Sequence, residues 1–501
     1  MKSENKTRRK FVKESAALAI ATFSLSSWTS NEEAKNVFQA MGTRVGEVTD
    51  STAIVWTRVT ANQKRNDKGL VIQGRTSDYK NNKLPEVKVP VGDLEGACPG
   101  VSGFVRIRYG TEESLKKATI SPWVEVLEKT DFIHHFHLKN LKPNATYFYE
   151  CEVTAEKSKS NPFRFKGKFQ TAPPPLAIAD IRFCLMTCQG YPDRGHPDGH
   201  TIYPSMLSLN PNFACLTGDL VYYDNDMPRA NNPRLARYHW ERMFSLPRLV
   251  EFNRNVNTYW LKDDHDTLDN DSTPGGVMGD FTFAEGQNIF RQQAPISAGL
   301  SYRTFRWGKD LQIWLTDGRD FRSPNDMTDG PEKTIWGEEQ KAWFKKTVKE
   351  CTATWKVLVS PTPLVGPDRV QKNDNHSNIG FKHEGDELRN WLKDNVPDNF
   401  FVICGDRHWQ YHSVHPETGL NEFSIGAASD EHAGGTPGEN KAYHRFHLVK
   451  GGFMSVDVKR NGNKVIFHFI ITTFMGRWFM NGEKKSKFDE KMFLKSKCFD
   501  K

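Results

Sequence analysis

The pattern of apolar and polar positions changes once along the chain, and the change divides it. Between about residues 38 and 171 the apolar runs are short and alternate with polar residues, the two-residue period of half-buried strands. Residues 52–59 (TAIVWTRV), 105–109 and 136–138 are the clearest, and 163–170 supplies a last strand. Residues 62–103 interrupt this series with a long polar stretch broken by Gly and Pro, which reads as an insertion. The TAPPP run at 171–175 then makes a stiff linker.

Beyond the linker, strands alternate with helices. Strands are predicted over 181–186, 213–216, 257–261, 311–315, 355–359 and 400–404, with helices over 201–209, 337–350 and 384–392. Residues 455–458 and 465–471 return as strands, and 481–501, with seven lysines, reads as a surface helix or tail. The order predicts an α/β half at 176–480 behind an all-β domain at 36–171. In the β-domain a Leu and a Pro (Leu141, Pro143) precede Tyr147, which enters an alternating run. This resembles the tyrosine corner of fibronectin type III-like, immunoglobulin-like sandwiches.

Composition bounds the partners. The 501 residues carry 69 Lys and Arg against 61 Asp and Glu, a formal charge of +8. Six of the basic residues and two of the acidic ones lie in residues 1–30, so the remainder carries only +4. That is a weak bias toward anionic substrates and no footprint for nucleic acid. The eight cysteines are spread out without a CxxC pair, which does not suit a disulfide framework. Cys184, Cys215 and Cys404 sit in apolar runs and read as small core residues. Residues 1–30 read as an address: Arg8 and Arg9, with Phe11 and Lys13 behind them, precede a modest apolar run at 15–25. This looks like a twin-arginine export signal. It predicts passage through the twin-arginine translocation machinery to the periplasm or exterior of a bacterium, and a monomer without a transmembrane segment.

The chemistry collects where predicted strands end, as it does in α/β sheets. The segment 211–225 (PNFACLTGDLVYYDN) sets Asp219, Tyr222 and Asp224 on one loop. Three other strand ends carry Cys188, Asp264 with His265, and Asp406 with His408. Carboxylate, phenolate, thiolate and imidazole together suit a hard trivalent cation beside a divalent partner. No GxSxG elbow is present for a serine hydrolase. His196 and His200 fit a polar loop over the site, and Trp260, Trp307 and Trp314 read as core.

The order TCQG, TGDLVYYDND, KDDHD, TDGRDFRS, WKVLVS and ICGDRH is similar to the PhoD-like alkaline phosphatases of the calcineurin-like metallophosphatase superfamily. The resemblance covers most of residues 1–475 and implies an α/β/β/α sandwich with a site for Fe(III) and Ca(II). It implies Cys188 as thiolate ligand, Asp219 as bridging carboxylate, Tyr222 as phenolate ligand, and Asp406 and His408 as late ligands. Asp266 stands where the family has Glu, which leaves Asp264 and Asn270 as alternative ligands. His265 would protonate the leaving oxygen or stabilise the phosphoryl group, and Arg319 either orients phosphate or pairs with Asp317 or Asp320. The implied activity is hydrolysis of phosphate esters by metal-activated water or oxide. The rivals are phosphodiesterase action on teichoic acid or phospholipid, and a binding module with a degenerate catalytic half.

Overall fold

Two β-sheets face each other across a shared apolar core, with helices over their outer faces, in the computed structural model of the chain. It describes residues 36–485 apart from 80–82, 158–160, 397–398, 463 and 474–477. The expected export signal at 1–30 lies outside the described residues.

The first sheet has nine strands. Its order is Trp478–Lys485, Lys464–Thr473, Gly452–Asn461, Ile181–Met186, Phe213–Thr217, Asn257–Leu261, Thr43–Gly46, Ala53–Arg58 and Ile133–Leu138. Ile181–Met186, Phe213–Thr217 and Asn257–Leu261 pair in parallel. Parallel strands are buried on both faces, so they read as continuous apolar runs, as FACLT does.

The second sheet orders seven strands: Arg303–Trp307, Leu311–Leu315, Trp355–Ser360, Phe400–Cys404, Asn421–Ile425, Gln410–Val414 and His444–Leu448. Side chains alternate across each strand. Phe183, Leu185 and Phe213 therefore meet Ile313, Val357 and Ile403 between the sheets. Met186, Leu216 and Trp260 point outward, under helices Ile202–Ser208, Pro233–Phe244 and Phe283–Gln293. Trp314, Leu358 and Val402 lie under Gly337–Glu350 and Lys382–Asn395. The layering is α/β/β/α, and Trp260, Trp307 and Trp314 are all buried in it.

The N-terminal strands depart from the expected free-standing domain. Tyr147 does make a corner, its Oη accepting from the Lys142 N–H at 2.8 Å. The sheet of Gly103–Gly110, Thr146–Thr154 and Phe163–Gln170 packs Val105, Ile107 and Cys151 against Val45, Val55 and Phe136. The strands bearing that second trio belong, however, to the nine-stranded sheet. Thr43–Gly46 pairs in parallel with Asn257–Leu261, Val45 opposite Asn257 and Gly46 opposite Thr258. Among the described residues from Val37 onward the chain is one compact unit, so TAPPP does not separate two independently packed bodies. The physical reason lies on the other face of the same strands. Trp56 donates to the Gln292 carbonyl at 2.8 Å, and the Arg44 guanidinium stacks 3.8 Å above the Trp56 ring.

A chain starting at Pro175 would uncover the edge of Asn257–Leu261, and bare edges pair with other chains. It is expected to be recovered mainly as aggregate, which soluble yield and thermal unfolding against the full chain would check. Unchanged melting of a soluble fragment would show that the linker is a true boundary.

The C-terminal expectation also changes. Asn481 to Lys485 are not helix or tail but part of the strand Trp478–Lys485, antiparallel to Lys464–Thr473. Lysines suit an edge strand as well as a helix surface, because they discourage edge pairing. Residues 486–501 lie outside the described residues.

Candidate metal centre

Three strands end in a left-handed residue. Cys188, Asp219 and Asp406 have φ of 52°, 54° and 60°. Such a conformation costs a non-glycine residue on the order of 1–3 kcal/mol and persists where the surroundings impose it. Two glycines make the turns possible. Gly218 has φ 90°, and a Cβ there would sit 2.7 Å from Asp263 Cβ. A Cβ on Gly405 would sit 2.4 Å from the Thr217 carbonyl oxygen and 2.7 Å from Thr187 Oγ1. Gly405 is thus where the second sheet touches the first, and it delivers Asp406 beside Asp219.

Asp219 belongs to three sets of ligand atoms, each gathered within 4.8 Å: with Cys188 and His408, with Asp264 and His265, and with Asp263 and Asp406. Cys188 Sγ lies 3.4 Å from Asp219 Oδ2. Tyr222 Oη lies 3.2 Å from the same oxygen and 3.4 Å from His408 Nε2, so it joins the first set. Tyr223 points away into the core, where its Oη accepts from Trp240 Nε1 at 2.5 Å.

The donor set fits cations. Asp219 Oδ1, Asp263 Oδ2 and Asp264 Oδ1 are buried without a hydrogen bond, a costly arrangement for carboxylates unless an ion answers them. Burial and then the charge of Asp264 push the Asp219 carboxyl well above its usual range. Burial and Asp219 do the same to the Cys188 thiol, and burial, Asp219 and Cys188 to the Tyr222 phenol. A multivalent cation is what stabilises all three as anions at once. Burial pulls His265 down, but Asp224, Asp264 and Asp219 outweigh it and hold the imidazole well above its usual value.

Around this centre the expected roles sort differently. His265 Nδ1 lies 2.7 Å from Asp224 Oδ1, so Asp224 orients a histidine. Asp264 is the member of the DDHD segment at the centre, its Oδ2 accepting from the Asp271 N–H at 2.7 Å. Asn270, the alternative ligand, stays at the surface, where its backbone N–H donates to Asp224 Oδ2 at 3.0 Å. Asp266 is a tie within the fold: it accepts from the N–H groups of Leu220 at 3.1 Å and Asp263 at 2.6 Å. Burial pushes its carboxyl up to about 8.

Arg319 is buried against the carboxylates of the centre. Its side chain is 0% exposed, with Nε donating to Asp263 Oδ1 at 2.5 Å and Nη2 3.6 Å from Asp264 Oδ1. The partners that the sequence offered, Asp317 and Asp320, both pair with the Lys262 ammonium instead. Arg319 therefore lies behind two carboxylates, where its guanidinium fixes their orientation.

Three residues outside the sequence expectation also reach the centre. Asp263 supplies an unpartnered oxygen, and its place beside Asp264 in KDDHD was a legible signal. Arg407 pairs with Asp406 and with Asp368. His432 sets its ring 4.4 Å from that of His408, and nothing in the surrounding GAASDEHAGG marks it in advance.

Comparison with known proteins gives concordant results. The model of the PhoD-like phosphatase family matches residues 183–450, and that of the PhoD-like phosphatase N-terminal domain matches 24–173. Alkaline phosphatase D of Bacillus subtilis (strain 168) is 22% identical over 335 residues, 56% of this chain and 54% of that protein. The match thus takes in about half of that relative's length. The solved structure of PhoD superposes with a TM-score of 0.70 at 16% identity, over 94% of each chain. Purple acid phosphatase PPD1 from yellow lupin (Lupinus luteus) seeds gives 0.58 at 12% identity, over 88% of this chain and 73% of that one. These likenesses are of fold.

Proposed function

Since the chain belongs to the PhoD-like phosphatase family, we propose that it is an exported, metal-dependent hydrolase of phosphate esters with its active site at Asp219. The observation that carries this reading is one carboxylate shared by three donor sets, beside buried carboxylate oxygens that accept no hydrogen bond. Cys188, Tyr222 and His408, with sulfur, phenolate and imidazole donors, would hold Fe(III) through Asp219. The oxygen-rich remainder, Asp263, Asp264 and Asp406, suits a Ca(II)-type partner. Bound there, the metals supply neutralisation of phosphate charge and an acidified water.

The chain's own groups do the rest. Asp224 holds the His265 ring through Nδ1, and a ring nitrogen of His265 stands within the Asp219–Asp264 set. From there it protonates the leaving oxygen or carries the charge of the phosphoryl group. Cys188 is buried beside Asp219, which suits a ligand and not an attacking thiol. A binding module with a decayed catalytic half would have no need to keep three carboxylate oxygens buried without a hydrogen bond.

The test is spectroscopic. Cys188→Ser is expected to lose iron while the fold survives, since Ser is nearly isosteric. Tyr222→Phe should lose the visible charge-transfer band, and Tyr223→Phe should keep it. Unchanged iron and colour in both Cys188→Ser and Tyr222→Phe would mean a different centre. Export rests on Arg8 and Arg9: changing both to Lys should trap active enzyme in the cytoplasm, and normal export would speak for the general secretory route.

A further inference from the structure

Tyr222 is reached from outside by side chains that belong to none of the three ligand sets. His432 places Nε2 2.9 Å from Tyr222 Oη. Its Nδ1 lies 2.6 Å from Asp193 Oδ2 and 2.6 Å from Arg75 Nη2, and Arg75 also pairs with Asp193. Exposure falls along this line, from 32% for the Arg75 side chain to 4% for that of His432. The line therefore runs from solvent to the centre.

Arg75 arrives on the insertion, residues 62–103, and is fastened where it matters. The Thr76 N–H donates to the Asn225 carbonyl at 2.8 Å, and the Met227 N–H to the Gly74 carbonyl at 3.1 Å. Those two bonds tie the insertion to the loop that carries Tyr222. The Arg75 N–H is held in turn by Asp78 Oδ2 at 2.8 Å.

A guanidinium has donors only. A carboxylate only accepts, so Asp193 and Nδ1 of His432 do not bond each other when Nδ1 is bare. With Asp193 Oδ2 paired to Arg75, Nδ1 accepts from Arg75, and Nε2 carries the hydrogen and donates to the Tyr222 oxygen. A bond of that kind draws charge from a phenolate and fixes its ring. Outer partners of metal ligands act in this way, and losing one typically costs about 10–100-fold in metal affinity.

We propose that Arg75, Asp193 and His432 form an arm that holds Tyr222 as a phenolate ligand and tempers its donor strength. The insertion thereby acts on the metal centre without supplying a ligand. This rests on the reading of Tyr222 as a ligand given above. His432 acts through Tyr222 and is a positioning residue, and Asp193 holds Arg75 in place by pairing with it.

The experiment compares full-length wild type, His432→Ala, His432→Gln and Arg75→Ala, each purified without chelator. Two readouts are taken: the position of the visible band and the rate of metal loss to EDTA. Removing the hydrogen bond raises the phenolate lone pair, so the His432→Ala band should move to longer wavelength. Its metal should leave about 10–100-fold faster. His432→Gln, whose amide can donate in the same place, should move both readouts back toward wild type. Arg75→Ala should shift them in the same direction by less, and as a rim residue it decides the matter if His432→Ala does not fold.

Metal-loaded His432→Ala and Arg75→Ala with unchanged band and unchanged EDTA kinetics would overturn the arm. If the wild type holds metal without colour, the EDTA kinetics alone support or overturn it. A wild type that binds no metal would overturn the ligand reading first, and the arm with it.

Discussion

Replacing Asp219 with asparagine is expected to remove bound metal and activity together while the chain stays folded. Asp219 is the one residue common to all three donor sets, so the loss touches every cation the site can hold. Asn keeps the shape but not the charge. A metal Lewis acid supplies several kcal/mol of transition-state stabilisation, so the rate should fall roughly 10³-fold or more. Stability should move the other way in the absence of metal. Burial and the neighbouring Asp264, Asp263 and Asp266 all disfavour the Asp219 charge, and Asn removes that repulsion. Elemental analysis, turnover and thermal unfolding with and without chelator would check each part. A variant with a full complement of metal would contradict the assignment.

Arg319→Leu is expected to be a stability mutant before it is an activity mutant. The guanidinium lies against Asp263 and Asp264, and all three side chains are essentially buried. Removing one partner of a buried pair leaves an uncompensated charge and costs about 3–5 kcal/mol. Arg319→Lys should recover only part of this, because an ammonium cannot reproduce the fork that faces two carboxylates. Urea unfolding measures the loss directly. A raised KM with unchanged unfolding would instead make Arg319 a phosphate ligand.

Much of the centre was legible because buried parallel strands announce themselves. FACLT, NTYWL and FFVIC are apolar runs that stop abruptly at charged loops. Asp219, Asp264 and Asp406 follow those stops, and Cys188 follows a fourth. The helices Pro233–Phe244 and Phe283–Gln293 were not anticipated, although local signals mark where they start. Asn232 caps Pro233–Phe244 by accepting from the Leu235 N–H, and Thr282 with Glu285 closes a capping box on Phe283–Gln293.

What sequence could not give is which charges meet across strands. Arg319 is one residue from Asp320 and two from Asp317, yet its side chain binds Asp263, because Lys262 occupies both nearer carboxylates. Asn270 is five residues from His265, but the loop carries it out to solvent. Sheet continuity was hidden for a similar reason. TAIVWTRV alternates like a half-buried strand, but Trp56 on its supposedly open face is buried against a segment more than two hundred residues away.

If metal held at Asp219 hydrolyses phosphate esters, activity must follow metal content. Protein purified without chelator is assayed for iron and calcium and for hydrolysis of a phosphomonoester and a phosphodiester. The same assays follow after the metals are stripped, and again after they are restored. The expected result is bound iron with a divalent partner, activity on at least one ester, loss of activity on stripping and its return on reloading. Full hydrolysis by the stripped protein would mean that metal at Asp219 is not the catalyst.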